Sequence, residues 1–313
     1  MTPAFPAAAA EAPVSTLSPF TASDGENIAV QDWPLPPGVP QLGQALLVHG
    51  LGEHVGRYAH VAQALHGCGL AVRGYDQYGH GESAGPRGGL SSDTRLLDDL
   101  ADIVDATRAR MAPGQPLLLV GHSMGGLVAA RFVSLGLRPV DGLVLSSPAF
   151  DAGLSAVQKL LVSTLPRLLP DLRVGNGLNA DYLSHDAAVA RAYLADPLCH
   201  DRISGRLARF IAEAGPATVA CAPQWTVPTL LLWAGQDRLV NPAGSAQFAA
   251  SVPPAVVQSH CFESLYHELF NEADARPVFM RLQAWVRAWL DTQPAARAAS
   301  RPARSARRTG TTG

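Results

Sequence analysis

The sequence predicts an α/β fold: a mostly parallel sheet covered by helices on both faces, with a helical cap inserted after a core strand. Three observations predict it. Short β-rich apolar runs recur at residues 45–49, 70–75, 116–120, 142–146 and 229–233. Segments of helical period separate them, and strands that are apolar on both faces need helices on both sides. The alternation then lapses across residues 150–224, where Pro166, Pro170, Pro197, Pro216 and Pro223 punctuate leucine-rich helical pieces. An insertion within the sheet accounts for that break.

In chain order, residues 1–19 are expected to be a flexible N-terminal segment. Residues 20–34 read as a hairpin around the turn dipeptide Asp24-Gly25. The clearest helix covers 93–111, with Leu96, Leu97, Leu100, Ile103, Val104, Thr107 and Met111 on one face and Asp98, Asp99, Asp102, Asp105 and Arg108 on the others. Residues 127–135 continue in helical character after the strand at 116–120. Beyond the fifth run a last strand fits 256–262, and 275–290 forms a closing helix with Val278, Phe279, Leu282, Trp285, Val286 and Trp289 turned inward. The expected organisation is therefore a core in two parts, 20–150 and 225–293, a cap at 151–224, and a tail at 294–313. That tail carries Arg297, Arg301, Arg304, Arg307 and Arg308 with no acid, and its composition predicts disorder.

Composition limits the function classes. With 47% hydrophobic and 16% charged residues, the 313-residue chain has the apolar mass for a large core, which excludes disorder of the whole. A net charge of -2 leaves no positive field to hold a polyphosphate, so nucleic acid is not expected as the main partner. Cys68, Cys199, Cys221 and Cys261 form no Cys-x-x-Cys pair and are read as reduced thiols. The first fourteen residues carry no Lys or Arg, so a positively charged leader is lacking and a cytoplasmic location is the expectation. No stretch approaches the roughly 18 apolar residues of a membrane span. Oligomeric state is not legible.

The chemistry concentrates at Gly121-His122-Ser123-Met124-Gly125-Gly126, between a strand and a helix. A Gly-x-Ser-x-Gly pattern alone is weak; at a strand-to-helix junction it describes a sharp turn that lifts the serine hydroxyl off the sheet. Side chains at Gly121 or Gly125 would collide with neighbouring backbone in so tight a bend. A serine is a weak nucleophile at neutral pH and needs a base, which needs an orienting acid. In the chain order Ser, Asp, His, Asp237 follows the strand at 229–233, and His267 lies thirty residues further, past the last strand. His260 competes as the base but falls inside that strand, and Asp151 competes as the acid. The developing oxyanion needs two donors: the backbone N–H of Met124, and one from the loop His49-Gly50-Leu51-Gly52-Glu53, for which Leu51 is the choice. His49, His54 and His80 lack a compact ligand set, so neither a metal nor another cofactor is expected.

Together, HGLGEHVGRY from His49, YDQYGHGE from Tyr75, GHSMGG from Gly121, GQDRLVNP from Gly235 and LYHELFNE from Leu265 resemble one family. It is the α/β-hydrolase fold enzymes grouped as monoacylglycerol lipases and lysophospholipases. The resemblance spans residues 46–272, and Leu183-Ser184-His185-Asp186 and Asp196-Pro197-Leu198 followed by Ile203-Ser204 are similar to that family's cap. It implies a serine ester hydrolase working through an acyl-enzyme, with Ser123, Asp237 and His267 as its triad and Leu51 and Met124 as its oxyanion hole. It further implies a substrate-binding polar network of Glu53, Arg57 and His122. Tyr78 departs from it, standing where many relatives carry arginine.

The cap leucines Leu154, Val157, Leu160, Leu161, Leu165, Leu168 and Leu169 supply more apolar surface than a small polar ester uses. Burying about ten methylenes gives a gross ~8 kcal/mol, so a lipid-like ester is the expected substrate, and an apolar cap rim would let the protein rest on a membrane surface. A short-chain carboxylesterase, a proline-releasing aminopeptidase or a carbon–carbon bond hydrolase would use the same triad. A noncatalytic binding protein of this fold would be expected to have lost one of its members.

Overall fold

The computed structural model describes residues 14–153, 169–294 and 296. A hairpin of β1 (Thr16–Thr21) and β2 (Asn27–Trp33) opens the sheet, turning at Gly25, whose φ of 91° is open to glycine. The strand thus starts at Thr16, and the expectation of a flexible segment through residue 19 is corrected for its last four residues. Their backbone groups pair in register with β2, Thr16 opposite Asp32 and Pro19 opposite Ala29.

β2 pairs antiparallel with β4 (Leu70–Tyr75), and from there all neighbours are parallel: β3 (Gly43–Val48), β5 (Leu117–His122), β6 (Gly142–Ser146), β9 (Thr229–Ala234) and β10 (Val257–Phe262). The sheet order is β1-β2-β4-β3-β5-β6-β9-β10. The central strands are buried on both faces because helices cover both, as their mostly apolar runs require. α1 (Ala59–His66) and α7 (Arg276–Thr292) close one face with Val61, Leu65, Val278, Leu282 and Trp289; α2 (Arg95–Arg108) and α3 (Ser123–Ser134) close the other with Leu96, Leu100, Ile103, Leu127 and Phe132. In α7, Phe279 and Trp285 are half-buried.

One side chain of α2 departs from the expected pattern. Asp99, expected off the apolar face, is buried, and Arg95 one turn earlier donates to it at 2.8 Å. Burial pushes the Asp99 carboxyl up to about 6 against the pull of Arg95. The same guanidinium lies 4.2 Å over the ring of buried Tyr78, so the residue that departs from the family pattern stacks on a cation.

Between β6 and β9 the chain leaves the sheet. It forms a two-stranded antiparallel ribbon, β7 (Arg173–Gly175) with β8 (Arg202–Ser204), and between its strands the helix α4 (Ala187–Ala195). The proline-punctuated sequence suggested helical pieces alone; strands of three residues are too short to show an alternation. α5 (Gly205–Ala220) follows, with Pro216 inside it, and Ser204 caps it by accepting from the Leu207 N–H at 3.2 Å. Its Leu207, Ala214 and Val219 join the core that contains α3, so residues 205–224, expected in the cap, pack as core. α6 (Pro242–Ser251) completes the helices. Of the cap leucines, Leu154, Val157, Leu160, Leu161, Leu165 and Leu168 lie outside the described residues, as do the five tail arginines, while Leu169 is exposed. Among the described residues, no helix is long and apolar enough to cross a membrane.

Candidate active site

β5 ends at His122 and α3 begins at Ser123, so the chain reverses within one residue. Ser123 takes φ 52°, a left-handed conformation unfavourable for any residue with a Cβ. The glycines make it possible. A Cβ at Gly121 would stand 2.5 Å from the Gly125 carbonyl oxygen, and one at Gly125 would stand 2.2 Å from that of Val48 and 2.3 Å from that of His49. Those obstacles are backbone and cannot swing aside. Gly125→Ala is therefore expected to cost roughly 3–5 kcal/mol in denaturant unfolding, since the elbow would have to part from β3. An unchanged unfolding midpoint would show that the packing at this turn is looser than its geometry implies.

Asp237 sits three residues past β9, and His267 five past β10, at the same end of the sheet as Ser123. His267 Nδ1 and Asp237 Oδ2 are 2.6 Å apart, both side chains buried. Asp237 Oδ1 accepts from the backbone N–H groups of Leu239 and Val240, each at 2.9 Å. Burial would raise this carboxyl, but the facing His267 and those donors hold it below its usual range. Burial likewise disfavours the His267 cation, yet the Asp237 charge outweighs it and leaves the imidazole pKa raised. Among the described residues no hydrogen bond joins Ser123 to His267; both line one cavity, and catalytic bonds of this kind often tighten only when substrate is present. The competing residues are elsewhere: His260 packs edge-on against Phe262 on β10, and Asp151 accepts from Asn241 at 2.7 Å.

The loop after β3 lies against Ser123, since a Cβ on Gly50 would come within 3.3 Å of the serine Cβ. Leu51 and Met124 line the cavity with it, and neither backbone N–H donates to another group among the described residues. His49 fixes the loop. Its Nε2 accepts from the Gln77 N–H at 2.9 Å, so Nδ1 carries the proton and donates to the Gly50 carbonyl at 2.7 Å, while Gln77 Nε2 donates to the His49 carbonyl. Burial keeps this histidine neutral by lowering its pKa.

Glu53 is buried, accepting from the Gly50 N–H at 2.6 Å, the Tyr58 hydroxyl at 2.6 Å and Arg57 at 2.5 Å. Burial alone would raise its carboxyl; the Arg57 guanidinium, with His122 and His49, holds it down to about 2. Arg57 also makes a two-pronged bond to Glu268, at 2.7 and 2.8 Å. The network therefore runs from the loop after β3 to the neighbour of His267. Glu268 is the residue that sequence reasoning missed, although it stands inside the quoted block beside His267. His122 faces the cavity with its ring 4.8 Å from that of His267 and its Nδ1 3.1 Å from Ser146 Oγ. Burial and the neighbouring His267 push its pKa down to about 4, so it is neutral. Glu272 then ties the histidine loop to the cap, accepting from the Tyr266 N–H at 2.6 Å, the His185 N–H at 3.1 Å and the His185 ring at 2.8 Å.

The cavity holds about 300 Å³ and is lined by Ser123, His267, Glu53 and Glu268 together with Leu178, Leu183, Leu194, Ile203, Ile211, Leu239 and Val240. A larger hollow of about 430 Å³, between Phe150, α5 and α6, touches none of Ser123, Asp237 and His267. The expectation that no metal set exists concerned His49, His54 and His80; among the described residues a different group, His54 with Asp196 and Cys199, comes together.

The strand order and the strained serine turn placed after β5 are those of an α/β hydrolase. The chain belongs to the family described as serine aminopeptidase, S33, which matches residues 40–274. It is 33% identical over 270 residues to a monoacylglycerol lipase of Mycolicibacterium smegmatis, covering 85% of this chain and 95% of that one. It spans 29% of a longer relative, an uncharacterized abhydrolase domain-containing protein of Dictyostelium discoideum, at 30% identity over 280 residues and 87% of this chain. The crystal structure of Paleococcus ferrophilus monoacylglycerol lipase superimposes with a TM-score of 0.74 at 30% identity, covering 84% of this chain and 99% of that one.

Proposed function

We propose that the protein is a serine hydrolase of lipid-like carboxylic esters, monoacylglycerols or lysophospholipids, acting through an acyl-enzyme. Ser123 attacks the carbonyl, His267 takes its proton and returns it to the leaving alcohol, and Asp237 keeps the imidazole in the tautomer this needs. The N–H groups of Leu51 and Met124 meet the oxyanion. Water then attacks the acyl-enzyme by the same relay. Glu53 holds the loop that carries Leu51, Arg57 ties Glu53 to Glu268, and Glu53, Glu268 and His122 give the cavity polar lining.

The observation that carries this reading is the buried His267–Asp237 pair at the wall of a cavity that also holds the strained Ser123 and continues between leucines and isoleucines. Each buried methylene contributes about 0.8 kcal/mol, against about 1 kcal/mol for a head-group hydrogen bond, so a chain of several carbons dominates binding. The Mycolicibacterium smegmatis and Paleococcus ferrophilus proteins named as monoacylglycerol lipases support the same substrate class. On the cap side Leu169, Leu172, Val174 and Leu194 are half or more exposed, an apolar rim suited to a lipid surface.

The expected result is hydrolysis of monoacylglycerol or lysophosphatidylcholine, with kcat/KM on p-nitrophenyl decanoate at least ten-fold above that on the acetate. Preference for acetate would move the reading to a short-chain esterase, and release of proline-naphthylamide without ester cleavage would move it to a peptidase.

A further inference from the structure

We propose that His54, Asp196 and Cys199 form a binding site for one divalent cation of the zinc class, spanning the seam between the loop after β3 and the cap. The site is separate from the triad, and the inference stands whether or not the chain hydrolyses esters. His54 Nε2, Asp196 Oδ2 and Cys199 Sγ all lie within 4.8 Å of one another, and His54 and Asp196 are in contact at 2.9 Å. Imidazole, carboxylate and thiolate are the ligands a borderline-soft ion selects, and bonds of about 2.0–2.3 Å place tetrahedral ligand atoms roughly 3.3–3.8 Å apart. Shifts of about an ångström or less, opening the His54–Asp196 contact and closing the others, suffice. A water would take the fourth position.

The three groups are held before any ion arrives. Asp196 and Cys199 stand at the two ends of the turn Asp196-Pro197-Leu198-Cys199, which the Cys199 N–H closes on the Asp196 carbonyl at 3.1 Å. The Leu198 N–H donates to Asp196 Oδ1 at 2.9 Å, leaving Oδ2 to face His54. The His54 ring lies over Gly56, where a Cβ would come within 2.8 Å of it. His54 is 12% and Asp196 28% exposed, and Cys199 is half-buried, so the site is sheltered yet reachable. Burial pushes the Cys199 thiol pKa up, and Asp196, Glu53 and Glu268 add to the rise against the pull of Arg57, so the ion itself would supply the positive charge that the thiolate needs. On binding, the S–H bond breaks, its proton leaves to solvent, and the sulfur electron pair bonds the ion. The bound ion would fasten the cap to the residue beside Glu53.

The test uses the full chain, freed of metal with a chelator and titrated with Zn²⁺ alone in competition with a chromophoric chelator, and separately with Co²⁺. Wild type is expected to take up one equivalent and to give a Co²⁺ spectrum with a thiolate charge-transfer band. Cys199→Ser and Asp196→Asn should each weaken Zn²⁺ binding at least ten-fold and leave the metal-free unfolding midpoint and ester hydrolysis unchanged. Equal affinity in wild type and Cys199→Ser, or a Co²⁺ spectrum lacking the thiolate band, would overturn the proposal. Cys199→Ala serves as a second variant should the serine perturb folding.

Discussion

Replacing Ser123 by alanine is expected to lower kcat/KM for a long-chain ester on the order of 10⁴-fold or more and to abolish covalent labelling by a fluorophosphonate. Alanine removes the only atom that can bond the acyl carbon and leaves the cavity walls, the Glu53–Arg57–Glu268 network and the Asp237–His267 pair in place. The backbone supplies an independent readout. At φ 52° any residue with a Cβ is strained, by about 1–3 kcal/mol, so Ser123→Gly should be more stable than wild type by about 1 kcal/mol after the greater freedom of its unfolded chain is counted. A residue that costs stability where glycine would relieve it is explained by what its hydroxyl does. Labelling that persisted in Ser123→Ala would place the nucleophile elsewhere.

The core strands were legible because burial on both faces leaves them mostly apolar: the runs predicted at 70–75 and 142–146 are the observed strands Leu70–Tyr75 and Gly142–Ser146, in which the buried Arg73 is paired with Asp32. The elbow was legible because only glycine fits at Gly121 and Gly125, a constraint the sequence displays directly. Chain order pointed to Asp237 and His267, which meet in space though thirty residues apart. Harder to read were features that depend on a partner from another element. Asp99 was placed off the apolar face because helical period alone cannot foresee that Arg95 and Tyr78 would bury with it. Glu268 gains its place only when Arg57, more than two hundred residues earlier, reaches it across the fold. Asp196 and Cys199 become a set with His54 for the same reason: the turn that pairs the first two is local, and the third ligand comes from the far side of the seam.

Asp237→Asn is expected to lower kcat/KM on the order of 10⁴-fold with little change in fold, and the hydrogen bonds around it say why. Oδ1 accepts from two backbone N–H groups, and only an oxygen can do that, so an asparagine here must keep its carbonyl on that side. Its NH₂ then faces His267 Nδ1, where wild type presents Oδ2 at 2.6 Å. A carboxylate only accepts, which forces the neutral imidazole to carry its proton on Nδ1 and leaves the Nε2 lone pair free as a base. The amide donates, which forces the proton onto Nε2 and removes the base. The pH profile separates this from a loss of structure. In wild type His267 must be neutral to act, and the Asp237 charge raises its pKa above the ordinary 6.5 despite burial. Activity should therefore fall as pH is lowered through a midpoint above 6.5, and in Asp237→Asn the residual activity should fall at a lower pH, because burial remains and the raising charge is gone. A variant within ten-fold of wild type, or an acid limb that does not move, would show that Asp237 does not orient the base.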